Sequence, residues 1–171
     1  MARPAVGTPG HTGHGHSRRF IRTAAFFRAL PESVVAALPP NLKAVSHRVR
    51  SSQAQWFFDD PRLHFEAWWH ARTGRLELGL HLEAAPEMNE RIAAGLARQL
   101  LLIKARLGGR LDLEPWDKGW IRLYETEAVE VFDAGRVRTT ARRMAELISV
   151  LWPMCQELRK SDVKIRLAER V

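Results

Sequence analysis

Apolar and polar residues alternate most regularly between residues 53 and 83. A turn at residues 71–74 separates two alternating segments, and a hairpin with His70 opposite Arg75 pairs apolar residues at every second position. A second turn, at residues 59–62, extends the same apolar face onto an upstream segment. A slip of one residue would move every apolar side chain to the other face. The alternation therefore predicts three antiparallel strands that share one apolar face.

Elsewhere the apolar period is that of a helix. Residues 86–107 carry a continuous apolar stripe and precede two glycines, which predicts one helix. Residues 135–158 form a second stripe, and we expect Pro153 to kink that helix. Near the N-terminus, residues 19–30 predict a helix, and Pro31 indicates a fresh helix start because proline is favoured at the first helical position.

Two further alternating segments, residues 111–114 and 120–124, predict short strands. The order of elements is then one helix, three strands, one helix, two strands and one helix. This order predicts an α+β protein, in which an antiparallel sheet of about five strands has helices packed on one face as a two-layer sandwich.

The chain divides into three predicted regions. Residues 1–18 carry Pro, Gly, Thr, His11, His14 and His16 with few apolar side chains, which predicts a disordered basic tail. The tail histidines could capture a transition metal, but a short His tract is only a compositional signal, and we favour a solvated tail. Residues 19–159 are expected to form a single α+β domain. Residues 160–171 are expected to form a C-terminal tail or a short strand.

The order of elements over residues 20–158 is similar to that of class I type III secretion chaperones. That resemblance implies a homodimeric module that binds a protein partner. Those chaperones tend to be acidic, whereas this chain has a net charge of +8.

The positive charge is concentrated near the N-terminus. Five arginines precede the first acidic residue, Glu32; they are Arg3, Arg18, Arg19, Arg22 and Arg28. The tail can therefore contact phosphates or acidic surfaces without constraining the fold.

Composition also bears on the compartment and on the class of protein. Cys155 is the single cysteine, so an internal disulfide and a C-x-x-C pair are both excluded, and a reducing compartment fits. No apolar run approaches the ~20 residues of a membrane span. The chain carries no P-loop, G-x-S-x-G, H-E-x-x-H or dinucleotide-binding motif. These features predict a cytoplasmic, non-enzymatic protein that needs no cofactor.

The register that builds the apolar face places a specific polar and aromatic set on the opposite face. The residues predicted to bind a partner there are Phe57, His64, Trp68, His81, Trp120, Arg122 and Tyr124. Because an exposed aromatic patch marks an interaction site, we expect this face to bind a protein or a second copy of the chain. Single-stranded nucleic acid is the next hypothesis, with bases stacked on the aromatic rings and the basic tail adding affinity.

The same face offers an enzyme as the alternative. Two H-x-E sequences, His64 with Glu66 and His81 with Glu83, lie on adjacent predicted strands, and the two histidines face each other. His64, His81 and Glu66 could bind zinc or ferrous iron, or the four residues could supply a base and its orienting partner. Cross-strand polar pairs on a solvated sheet explain the pattern without any chemistry.

A cluster of arginines opens the last predicted helix. It comprises Arg136, Arg138, Arg142 and Arg143. Positive charge near a helix N-terminus opposes the helix dipole. We expect these side chains to pair with upstream acids, namely Glu125, Glu127, Glu130 and Asp133, and as an alternative to bind an anion such as phosphate.

Overall fold

The computed structural model describes residues 20–168, with side chains to residue 160. These residues form an antiparallel six-stranded sheet in the order β1-β2-β3-β4-β6-β5. The strands are β1 (Ser46–Arg50), β2 (Gln53–Phe57), β3 (Leu63–His70), β4 (Arg75–Leu82), β5 (Asp112–Pro115) and β6 (Ile121–Ala128). The tail at residues 1–18, with its three histidines, lies outside the described residues.

Four α-helices accompany the sheet. They are α1 (Thr23–Ala37), α2 (Pro86–Arg98), α3 (Leu100–Leu107) and α4 (Ala134–Ala168). Two short 3-10 helices lie at Pro40–Leu42 and Asp117–Gly119. The predicted α+β class with an antiparallel sheet is therefore confirmed. No helix within the described residues is long and apolar enough to cross a membrane.

Both predicted hairpins have the expected register. His70 pairs with Arg75, and the register continues along β3 and β4 to the pair of Leu63 and Leu82. On the other side of β3, Phe57 pairs with His64. The register predicted from the alternating pattern is confirmed. One face of these strands is completely buried, and a slip of one residue would have moved its whole apolar set to the other side of the sheet.

Strand β1 was not predicted. Its sequence, Ser46–Arg50, has no alternation of apolar and polar residues, and all five residues are exposed. It pairs with β2 through a two-residue connection, with Arg50 opposite Gln53. An edge strand without a buried face gives no periodic signal, which explains the omission.

The core lies between the apolar face of the sheet and the helices. Phe65, Leu78 and Leu80 from the central strands are at most 2% exposed, and Phe26 of α1 and Ile148 of α4 are fully buried. The stripe predicted for the last helix is buried; it comprises Val137, Ala141, Met144, Ile148 and Leu151. Packing against this common core holds α1, α4 and the sheet together as two layers.

Three helix boundaries differ from the prediction. Pro31 lies inside α1 instead of starting a new helix. Leu30 and Val34 on either side of it are both fully buried, so one uninterrupted helix keeps both segments on the core. The helix predicted over residues 86–107 is divided at Gln99, which has a non-helical ψ of 8°. Helix α4 continues to Ala168, where the sequence predicted a tail or a short strand.

Candidate functional site

The face of the sheet opposite the core is organised in cross-strand rows. The row through His64 and His81 contains Ser46, Phe57, His64, His81 and Arg122. The next contains Arg48, Gln55, Glu66, Gly79 and Tyr124. A third contains Arg50, Gln53, Trp68, Glu77 and Thr126. We call these three rows the polar face.

The polar face is not the exposed patch that the sequence predicted. His64, Glu66 and Glu77 are each 2% exposed and His81 is fully buried. The indole of Trp116, in the connection between β5 and β6, packs edge-on against His81 with ring centroids 5.4 Å apart. This connection folds back over the sheet and so shields the centre of the polar face from water.

Gly79 marks a close approach between β4 and β6. It lies between Glu66 on β3 and Tyr124 on β6, and a Cβ added to it would lie 2.6 Å from the Tyr124 Cβ. Glycine inside a strand marks such a close approach. Glu77 and His81, on either side of Gly79 along β4, are in contact, and Glu77 Oε1 lies 3.1 Å from His81 Nε2.

Glu77 is the centre of a buried ionic network. Its Oε2 accepts a hydrogen bond from Arg122 Nη1 at 2.9 Å and lies 3.0 Å from His70 Nε2. Arg122 also donates from Nε to Glu114 Oε1 at 3.0 Å. Burial raises the pKa of Glu77, but the hydrogen bond from His81 and the charges of His81 and Arg122 outweigh burial, so this pKa lies below its usual value.

His81 carries the complementary positive charge. Burial lowers the pKa of His81, but its hydrogen bond with Glu77, the nearby Glu83 carboxylate and the charges of Glu66 and Glu77 outweigh burial and raise the pKa to about 9. Its Nδ1 lies 3.8 Å from Glu83 Oε1, which is too far for a hydrogen bond. Nδ1 is therefore a buried polar atom without a hydrogen-bond partner among the described residues.

A second group surrounds Glu66. Gln55 Nε2 donates to Glu66 Oε2 at 2.6 Å and lies 3.0 Å from His64 Nε2, which in turn is 3.3 Å from Glu66 Oε2. His64 Nδ1 lies 3.0 Å from the carbonyl oxygen of Pro61. Burial raises the pKa of Glu66, but the hydrogen bond with His64 and the charge of His81 outweigh it and bring the pKa down to about 2.

A pocket of about 300 Å³ opens onto this group. Its lining includes the tryptophans Trp68, Trp116 and Trp120, the β1 arginines Arg48 and Arg50, and the buried pair His64 and Glu66. The tryptophans form a continuous wall, since Trp116 has ring-centroid distances of 5.9 Å to both Trp68 and Trp120.

Several predicted site residues meet at this pocket. Those that line it are His64, Glu66, Trp68, Glu83 and Trp120, and His81 lies beneath Trp116. The other three predicted residues lie beside it and make cation–π contacts: Arg122 packs over Tyr124 at 4.0 Å, and Arg48 packs over Phe57 at 4.9 Å.

The predicted site residues left out several that belong to the site. They are Arg48, Arg50, Gln53, Gln55, Glu77 and Trp116. The predicted register placed Gln53, Gln55 and Glu77 on this face, but none of the three was assigned a role in the site. Trp116 belongs to an irregular connection, and no periodic signal indicated where its side chain would pack.

The arginine cluster at the start of α4 is partly neutralised. Arg143 donates from Nε to Glu125 Oε1 and from Nη2 to Glu125 Oε2, both at 2.7 Å. Arg136 Nη1 lies 2.9 Å from Glu127 Oε2. These two contacts agree with the expected pairing to upstream acids. Arg138 and Arg142 are exposed, and anion binding by the four arginines remains a prediction.

Comparison with known proteins gives little further information. No protein-family model matches the chain. No curated protein matches it in sequence. A chain of the solved HopA1–SchA chaperone–effector complex is similar in structure, with 17% sequence identity and a TM-score of 0.41 over 78% of this chain and 95% of that one. At this identity and score the likeness carries no argument about function.

Proposed function

We propose that this protein is a non-enzymatic binding module that recognises a protein partner through the pocket on the polar face. The observation that carries this proposal is the lining of the pocket, where Trp68, Trp116 and Trp120 stand together with Arg48 and Arg50. Tryptophan and arginine are the side chains that most often dominate the binding energy of protein interfaces.

The size and position of the pocket support a peptide segment as the bound group. A volume of about 300 Å³ is at the lower end of ligand sites and accommodates one or two side chains. The pocket includes two residues of β1, whose residues are all exposed at the edge of the sheet. A partner can therefore insert a side chain while the rest of its segment lies along this edge.

The charge of the pocket favours protein over nucleic acid. Glu66 and Glu83 belong to the lining, and the low pKa of Glu66 keeps its carboxylate ionised at neutral pH. Arg48 and Arg50 balance these two carboxylates, so the lining has mixed charge, and its carboxylates repel the uniformly spaced phosphates of a nucleic-acid strand. A peptide can avoid that repulsion because it carries its charges on selected side chains.

An acid–base enzyme built on His64, Glu66, His81 and Glu83 has less support. His64 and Glu66 are only 2% exposed and His81 is fully buried, so a substrate has little access to three of the four groups. Their burial suits a role in holding structure or an ion better than proton transfer to a bound substrate.

The test is a selection from a random-peptide display library against the full-length protein. We expect enriched peptides to bind the wild type, and to lose at least about tenfold in affinity when Trp68→Ala is combined with Trp120→Ala, because both indoles line the pocket. Leu101→Ala is the matched control, since Leu101 is 86% exposed on α3 and away from the polar face.

Three results would contradict the proposal. Peptides that bind the double variant and the wild type equally would place the site elsewhere. Quenching of tryptophan fluorescence by mixed-sequence oligonucleotides, weakening steeply with salt, would assign the face to nucleic acid. A dimer in light scattering that dissociates in the double variant would show that the face binds a second copy.

A further inference from the structure

The floor of the pocket brings together two imidazoles and one carboxylate. His64, Glu66 and His81 each offer a ligand atom, and these three atoms lie within 4.8 Å of one another. Their positions follow from the sheet, because His64 and His81 are a cross-strand pair and Glu66 is on the same face as His64. The two imidazole rings are nearly parallel, with centroids 5.4 Å apart.

Each imidazole has one nitrogen engaged by an acceptor outside this triad. His64 Nδ1 lies 3.0 Å from the Pro61 carbonyl oxygen, and His81 Nε2 lies 3.1 Å from Glu77 Oε1. Metal-binding histidines in proteins almost always donate their second N–H to such an acceptor, which fixes the tautomer and the ring orientation. If each histidine donates its N–H to this acceptor when a metal ion is bound, the lone pairs available to the ion are on His64 Nε2 and His81 Nδ1.

The remaining nitrogens are those that an ion requires. His81 Nδ1 is fully buried and has no hydrogen-bond partner among the described residues, which is an unfavourable state for a polar atom unless something else binds it. Glu83 Oε1 lies 3.8 Å from His81 Nδ1, so the Glu83 carboxylate can reach an ion bound to this nitrogen. His64 Nε2 lies 3.3 Å from Glu66 Oε2 and 3.0 Å from Gln55 Nε2, so an ion bound here replaces the contact with Gln55.

We infer that His64, Glu66 and His81 form a binding site for a divalent first-row transition-metal ion, with Glu83 as the candidate fourth ligand. Two imidazoles with carboxylate oxygen are a ligand set suited to zinc or ferrous iron. The pocket provides the entry path, because His64, Glu66 and Glu83 all line it.

Binding requires a modest contraction of the triad. Zinc bonds of roughly 2.1 Å in a tetrahedral site place ligand atoms on the order of 3.4 Å apart. The present spread of up to 4.8 Å therefore has to shorten by small side-chain rotations.

The test uses the full-length, untagged protein carrying His11→Ala, His14→Ala and His16→Ala, so that the tail cannot bind the probe. Zinc chloride is titrated into this protein in a calorimeter after treatment with a chelator. We expect one zinc ion per chain with a Kd on the order of 1 µM or tighter. Cobalt(II) in place of zinc should give the visible absorption bands of a four-coordinate site with nitrogen and oxygen ligands.

Substitutions in the same background locate the site. Glu66→Gln and His64→Ala should each abolish the one-to-one zinc uptake, and Glu77→Gln should weaken it by about 10- to 100-fold, as loss of an outer carboxylate does in other metal sites. His47→Ala is the matched control, because His47 is an exposed histidine on β1 outside the triad.

Two outcomes would overturn the inference. One is the absence of stoichiometric zinc or cobalt binding by the background protein itself, which does not depend on whether any variant folds. The other is zinc uptake that is undiminished in Glu66→Gln and His64→Ala. Either outcome leaves the peptide selection unaffected, since that experiment depends on Trp68 and Trp120.

Discussion

The two faces of β3 and β4 are buried to a similar degree but by different chemistry. On one face, Phe65 and Leu80 pack in an apolar core and are fully buried. On the other, Glu77 and His81 are at most 2% exposed but form ion pairs and hydrogen bonds. The core face is stabilised by close packing and by the removal of apolar area from water. The stability of the polar face depends on every buried charge having a partner of opposite charge.

Burial alone therefore does not predict how much stability a substitution at a given position removes. In the core, the loss of free energy scales with the volume and apolar area removed. On the polar face, a substitution that preserves shape but removes one charge leaves the opposite charge buried without compensation. The comparison can be tested by altering one face at a time.

The largest effect is expected in the core. Phe65→Ala removes a fully buried ring from the centre of the sheet and should lower the free energy of unfolding by about 4 kcal/mol. Chemical denaturation followed by circular dichroism measures this change. Phe57→Ala, at a half-buried position on the polar face, is the control and should lose clearly less.

A smaller effect is expected from a change of charge on the polar face. Glu77→Gln keeps the size of the side chain but leaves Arg122 and His81 without their shared carboxylate, and should lower the free energy of unfolding by about 3 kcal/mol. Glu114→Gln removes the other carboxylate bound to Arg122, but the Glu114 side chain is 41% exposed, so its loss should be under ~1 kcal/mol. Equal losses in the two variants would mean that burial does not determine the value of these ion pairs.

The smallest effect, expressed per pH unit, is a dependence of stability on pH. The pKa of His81 is raised from 6.5 to about 9 in the folded protein, so its contribution is fully present below pH 6.5 and is lost as the pH rises through 9. Metal-free protein should therefore lose stability between these pH values, with a slope of at most ~1.4 kcal/mol per pH unit.

Denaturation curves of the wild type and His81→Asn across that pH range isolate this contribution. The slope should be reduced in the variant, because asparagine does not titrate. If the stability of the two proteins changed with pH in the same way, folding would not raise the pKa of His81.

The sequence predicted the fold well wherever one face of an element is uniformly apolar. The pairing of His64 with His81 followed from the period of Phe65, Ala67 and Leu80 on the other face, and the structure confirmed it. Strand β1 and the break at Gln99 gave no such signal, because β1 is exposed throughout and the apolar stripe continues past Gln99 into α3.

Part of the membership of the candidate site was predicted, but its environment was not. Register placed His64, Trp68, His81 and Arg122 on one face, as observed. Their burial depends on Trp116, whose connection is far from β3 in sequence and has no periodic pattern. The contacts that decide the chemistry of this face are therefore long-range ones, and local alternation carries no information about them.

The packing of α1 against the segment before α4 sets a late step in folding during synthesis. Phe26 of α1 packs against Phe132, just before α4, with ring centroids 4.3 Å apart, and Ile21 donates its backbone N–H to the Phe132 carbonyl at 2.9 Å. This part of the α1 surface therefore stays uncovered until Phe132, far along the chain, has been synthesised. Apolar surface exposed in this way during synthesis is prone to aggregation.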